Sequence, residues 1–145
     1  MTSRTLAVVS AGLSQPSSSR LLADRLAAAV ATVLDAETSE TSVIEARDLA
    51  HDVVNNLLTG FPAPPLKEAV DTVIRADGLI AVTPIFNASY SGLFKSFFDA
   101  FDEGVLQDTP VLLAATGGTA RHSLALEHAM RPLFTYLRAT PVGTA

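Results

Sequence analysis

The residues best equipped for chemistry in this sequence are hydroxyls and glycines rather than acids, thiols or paired histidines. Residues 10–19 read Ser-Ala-Gly-Leu-Ser-Gln-Pro-Ser-Ser-Ser, which gathers Ser10, Ser14, Ser17, Ser18 and Ser19 around Gly12 in one short stretch. Ahead of a helix, such a run offers hydroxyl donors beside free backbone N–H groups and the positive end of the helix dipole, a setting that favours an anion. A terminal phosphate monoester, with three oxygens to satisfy, suits this nest, and Arg20 in the first helical turn can add charge. The same residues also describe an ordinary serine-capped helix after a loop. Residues 83–92 read Thr-Pro-Ile-Phe-Asn-Ala-Ser-Tyr-Ser-Gly. Pro84, Ile85, Phe86 and Tyr90 can wall a flat apolar ligand while Asn87 addresses its polar edge; alternatively Ile85 and Phe86 cap the core and Asn87 makes a turn. Residues 116–123 read Thr-Gly-Gly-Thr-Ala-Arg-His-Ser. Gly117 and Gly118, between Thr116 and Thr119, allow close backbone approach and unhindered N–H donors, or simply a tight strand-to-helix turn.

Other chemistries lack their residues. Cysteine is absent, which removes disulfides, thiolate catalysis, cysteine-ligated zinc and iron–sulfur clusters. No G-x-G-x-x-G, P-loop or G-x-S-x-G pattern occurs. A phospho-receiver domain needs acids where Ser10 and Thr83 stand. His51, His122 and His128 have no metal-ligand spacing. Glu45 ends the second strand, where dinucleotide folds keep a ribose-binding acid, but the glycine fingerprint that gives such an acid meaning is missing. The formal charge of -5 gives no basic field for nucleic acid. The amino terminus has a four-residue apolar run and one basic residue, so no signal peptide is expected.

The three loops need elements to hold them on one edge. Strands are expected at 6–9, around 43–44, at 79–83 and at 111–115, with 141–145 beginning a fifth. Helices are expected over 19–34, 48–58, from Pro65 to just before Gly78, over 92–101, and over 124–138. Gly60 and the prolines at 62, 64 and 65 punctuate the second and third helices. Phe94, Phe97 and Phe101 share one helical face and Phe98 widens it, as a broad core stripe or one shared with a second subunit. The alternation implies a parallel sheet with right-handed crossovers, covered by helices on both faces. That accounts for 48% hydrophobic residues, 17% charged residues and a mean hydropathy of +0.33 without any run of about 20 apolar residues. In such sheets ligands lie beyond the carboxyl ends of the strands, where all three loops fall. The 145 residues suit one domain.

Residues 10–23, 83–99 (TPIFNASYSGLFKSFFD) and 114–133 (AATGGTARHSLALEHAMRPL) together resemble the NADPH-dependent FMN reductases of the flavodoxin-like fold. The subgroup most similar supplies reduced flavin to alkanesulfonate-type monooxygenases. The resemblance implies a three-layer, doubly wound sheet of order 2-1-3-4-5. It implies that residues 10–19 hold the FMN phosphate, residues 84–87 line the isoalloxazine, and residues 116–119 approach its pyrimidine edge. It also implies dimer or tetramer contacts through the Phe-rich and last helices, and a π-type insertion in the last helix at which His128 replaces an aromatic residue. Many relatives carry an arginine where Ser14 or Gln15 stands here. Relatives continue past the fifth strand into another helix, so the expectation is a domain cut short within that strand, with an intact mass above 15.2 kDa.

The expected activity is hydride transfer from NADPH (or NADH) to FMN in the cytoplasm, without nucleophile, triad or metal, followed by delivery of reduced flavin to a monooxygenase. The competing readings are a flavodoxin-type electron carrier and a quinone or azo reductase on the same fold. Nucleic-acid and membrane partners are not expected.

Overall fold

The computed structural model describes residues 4–34, 39–120 and 124–142. Apolar runs with no helical period become strands β1 (Arg4–Ser10), β3 (Gly78–Phe86) and β5 (Pro110–Thr116), joined by β2 (Ser39–Glu45) and a short β6 (Thr140–Pro141). They form a parallel sheet in the order β2-β1-β3-β5-β6. The helices are α1 (Ser18–Leu34), α2 (Ala50–Thr59), α3 (Pro64–Arg75), α4 (Gly92–Phe98) and α5 (Arg131–Tyr136). A 3-10 turn, Ala46–Leu49, leads into α2, and a π turn, Leu126–Met130, leads into α5.

Side chains alternate along each strand, so every central strand feeds two cores. On one face Ala7, Val9, Leu79, Ala81, Val111 and Leu113 pack with α2 to α5. On the other, Leu6, Val8, Ile80 and Val82 meet Ala23 and Ala27 of α1. Double-sided burial is therefore the source of the apolar composition. Phe94, Phe97, Phe98, Phe101 and Phe134 are all buried in the first core, and Phe98 meets Phe134 edge-on with ring centroids 4.9 Å apart. The Phe-rich face is thus buried inside this chain.

Several expected boundaries shift for local reasons. The third helix stops at Arg75 because Ala76 turns extended, and Gly78 opens β3 instead of capping the helix. Both Pro64 and Pro65 sit in the first turn of α3, where a missing N–H costs nothing. Gly60 ends α2 at φ 81. The expected strand 79–83 runs on to Phe86 and folds back through Asn87 and Ala88 onto the antiparallel β4 (Ser89–Tyr90). The helix expected over 92–101 ends as α4 at Phe98, and the chain continues through a bond from Phe101 N–H to Phe98 C=O. The last helix, expected as one α-helix over 124–138, is divided by the π turn. Of the expected fifth strand, β6 pairs with β5 through Thr140 and Pro141; residues 143–145, like Arg121, His122 and Ser123 of the third loop, lie outside the described residues.

Candidate functional site

The register of the sheet decides what meets at its carboxyl edge. Ser10 lies opposite Glu45 on one side and Val82 on the other, while Pro84 lies opposite Thr116. The ends of β1, β3 and β5 are therefore side by side, and their loops enclose a cavity of about 470 Å³. Its hydroxyl wall is Ser14, Ser17, Ser18 and Ser19, its apolar wall is Pro84, Ile85 and Phe86, and its floor is Gly12, Thr116, Gly117 and Gly118.

Each wall has a local cause. Ser17 is the N-cap of α1: its Oγ accepts from Arg20 N–H at 3.1 Å, as a cap hydroxyl does from the third helical residue. The first N–H groups of the helix, at Ser18 and Ser19, have no intrahelical acceptor and face the loop. Ser19 Oγ is buried and shares a 3.0 Å hydrogen bond with Thr116 Oγ1, which ties α1 to β5 beneath the cavity. Gly12 leaves room for that cap, since a Cβ there would overlap Ser17 Oγ and approach Ser19 Cβ at 3.2 Å. The apolar wall is stiffened from behind. Thr83 Oγ1 receives Ser91 N–H at 3.0 Å, and Ser91 Oγ caps α4 by accepting from Phe94 N–H at 3.1 Å.

Of the residues expected from sequence, Gly12, Ser17, Ser18, Ser19, Pro84, Ile85, Phe86, Thr116, Gly117 and Gly118 line the cavity together. Ser10 lies beneath it, 1% exposed, on the α1 side of β1, and its Oγ has no hydrogen-bond partner. Asn87 is in the hairpin turn at φ 50, and Thr119 follows the glycine pair. Arg20 does not line the cavity. Its Nε donates to Asp24 Oδ1 at 2.9 Å and its Nη1 lies 3.3 Å from Glu45 Oε2. The hydrogen bond to Asp24 raises its pKa above the ordinary arginine value, and Glu45 adds to this. Glu45 is therefore an ion-pair partner.

His128 is exposed at the middle of the π turn, the place the resemblance implies, but it lines a different hollow of about 670 Å³ with Tyr90, Lys95 and Tyr136. There Lys95 is held by Asp99 at 2.6 Å, which raises its pKa. Leu13, half-exposed at the rim of the 470 Å³ cavity, was not singled out by sequence reasoning. Its signal was a lone large apolar residue among hydroxyls. A further apolar hollow lies at the opposite edge of the sheet between Val30, Ile80 and Leu112, and its polar rim groups Thr5 and Asp77 hydrogen-bond each other.

No described residues form a cluster able to hold a metal ion, and none of the described helices is long and apolar enough to cross a membrane. Residues 4–145 match the family model for NADPH-dependent FMN reductase. The chain belongs to the NADPH-dependent FMN reductase family. It is 39% identical over 137 residues to an FMN reductase (NADPH) of Pseudomonas aeruginosa, covering 93% of this chain and 72% of the relative. It is also 39% identical over 145 residues to an NADH-dependent FMN reductase, SfnF, of Pseudomonas fluorescens, covering 97% of this chain and 76% of that one. Among solved structures, an oxidoreductase from Corynebacterium diphtheriae superposes with a TM-score of 0.96 at 44% identity, over 100% of this chain and 81% of that chain. An apo NADH:FMN oxidoreductase superposes with a TM-score of 0.87 at 34% identity, over 97% and 72%. A WrbA-like flavodoxin with 17% identity and a TM-score of 0.61 shares the fold alone. This member of the FMN reductase family is thus an oxidoreductase with a flavodoxin-like sheet, and its loops gather where that sheet keeps its ligand.

Proposed function

We propose that this protein is an NAD(P)H-dependent FMN reductase that passes a hydride from NADPH to FMN and releases the reduced flavin to a partner flavin-dependent monooxygenase. The observation that carries the reading is the cavity at the sheet's carboxyl edge, where a hydroxyl nest, an apolar wall and a glycine pair face one space. The donor set fits FMN. The hydroxyls of Ser14, Ser17, Ser18 and Ser19 and the first N–H groups of α1 bind the phosphate, with the unpartnered Ser10 Oγ beneath them as a further donor. Pro84, Ile85 and Phe86, the apolar part of the lining, would hold the ring and exclude water from it. Gly117 and Gly118 present backbone N–H groups to the pyrimidine edge, where such donors stabilise negative charge developing on reduction. Asn87 and Thr119 flank that edge. FMN, when bound, supplies the two-electron acceptor, so the chain's own residues bind and orient two rings and need no nucleophile or metal.

Release to a partner is supported by the cavity's neutral lining, since among the described lining residues no cation holds a phosphate. A homodimer or homotetramer is proposed through the last helix, which exposes Tyr136, and the turn leading into it, which exposes Leu124. The cytoplasm is the proposed location, because it holds the nicotinamide nucleotide pool. The test is a steady-state assay crossing NADH and NADPH with FMN, FAD and a quinone. FMN-dependent oxidation of the nicotinamide is expected. Its absence, or a quinone accepted in preference to FMN, overturns the reading.

A further inference from the structure

We infer that Arg20 controls how strongly this site distinguishes a phosphorylated flavin from an unphosphorylated one, and that Asp24 and Glu45 hold its guanidinium away from the phosphate nest. The inference rests on the flavin-binding reading above. Arg20 follows Ser18 and Ser19 at the start of α1, and its backbone N–H is bonded to the cap hydroxyl of Ser17. A free guanidinium on this first helical turn, one residue from the lining Ser19, has the fork that gives a phosphate a charge-assisted contact. Here the fork is turned aside. Nε is bonded to Asp24 one turn along the helix, and Nη1 is drawn toward Glu45. Glu45 reaches it because the parallel pairing of β1 and β2 sets Glu45 opposite Ser10, at the base of the serine loop. Two carboxylates against one guanidinium leave this corner negative, which discourages a dianion. The Arg20 side chain is 38% exposed, so it is restrained by its partners and not by burial. Among the described residues, the cavity lining holds no cation.

Among the described lining residues only neutral donors meet the phosphate, so the preference for FMN over riboflavin is limited to what hydroxyls and helix N–H groups supply. Freeing Arg20 adds a charge-assisted contact and strengthens that preference.

The experiment is a flavin-fluorescence titration of FMN and of riboflavin into the wild-type protein, into Asp24→Asn/Glu45→Gln, and into that variant with Arg20→Ala added, with circular dichroism checking the fold. The wild type is expected to bind both flavins, with the FMN-to-riboflavin ratio that its neutral donors supply as the reference. The double variant is expected to bind FMN about tenfold tighter with riboflavin unchanged, and Arg20→Ala to cancel the gain. Glu45→Gln alone keeps the helix pair and shifts FMN affinity the same way by less. An unchanged FMN-to-riboflavin ratio in the double variant overturns the inference. So does a gain that survives loss of Arg20, which would mark a general charge effect. If the wild type binds neither flavin, the flavin reading itself fails; if it binds FMN and the ratio is the same in the double variant, only the role of Arg20 fails.

Discussion

Gly12→Ala tests whether the phosphate nest and the cap of α1 are one packed unit. The backbone at Gly12 is not in the left-handed region, so alanine meets no conformational penalty and gains about 0.5 kcal/mol from a less disordered unfolded chain; the loss is steric. Its Cβ would overlap Ser17 Oγ and come within 3.1 Å of Ser17 Cβ and 3.2 Å of Ser19 Cβ. The hydroxyl of Ser17 must therefore rotate away, and it is the group that accepts Arg20 N–H at 3.1 Å. Losing an N-cap of this kind costs about 1 kcal/mol. The entropy gain returns about half of this, so for a chain of this length Tm falls by about 1–3 °C. The displaced hydroxyl also leaves the cavity wall, so the Michaelis constant for FMN should rise about fivefold, the equivalent of one hydrogen bond. Thermal melts followed by ellipticity give the first number and steady-state kinetics the second. The Ser17→Ala background supplies the control. With the hydroxyl already gone, adding Gly12→Ala should cost clearly less than it does alone, a coupling of about 0.5–1 kcal/mol. A Gly12→Ala protein that melts at or above the wild-type temperature, or strict additivity with Ser17→Ala, would refute the reasoning.

Two further outcomes follow from the hairpin that backs the apolar wall. Ala88→Gly should raise the denaturant midpoint without changing the m-value. Ala88 sits at φ 68 beside Asn87 at φ 50; a left-handed alanine costs about 1–2 kcal/mol, and glycine's greater unfolded entropy returns part of that, leaving a gain of about 0.5–1 kcal/mol. A lower midpoint would contradict it. Ser91→Ala should destabilise by about 1 kcal/mol, since it strips the cap from Phe94 N–H while leaving Ser91 N–H bonded to Thr83 Oγ1, and urea unfolding reads the loss.

Much of the site was legible because its parts are local in sequence. The serine run, the Pro84–Phe86 stretch and the paired glycines each declare a type of surface, and a parallel sheet has one edge on which such loops collect. Arg20 was not legible in the same way. Its position in the first helical turn argues for phosphate binding, yet its partners are fixed by a helical turn to Asp24 and by strand register to Glu45, 25 residues from Arg20 (45 − 20). Opposite charges that far apart in sequence say nothing until β1 and β2 pair. Leu13 was missed because one apolar residue in a polar loop carries no period. The continuation of β3 to Phe86 was missed because Pro84 interrupts the apolar run; the strand passes through it, since Pro84 stands next to Thr116 at the sheet's last register step.

The sequence alone determined that strands buried on two faces alternate with helices, because continuous apolar runs and 3.6-residue stripes are short-range patterns that solvent exclusion sorts unambiguously. It also determined the chemical vocabulary of the edge: hydroxyls, an apolar wall, bare backbone. The tertiary structure decided what each residue is free to do. It buried all four phenylalanines of the 94–101 segment around Phe134, placed His128 in a hollow of its own, left Ser10 Oγ unpartnered under the nest, and committed Arg20 to two carboxylates. Those outcomes depend on which strand lies beside which and in what register, a long-range choice made by the sum of both cores and not by any single stretch of residues.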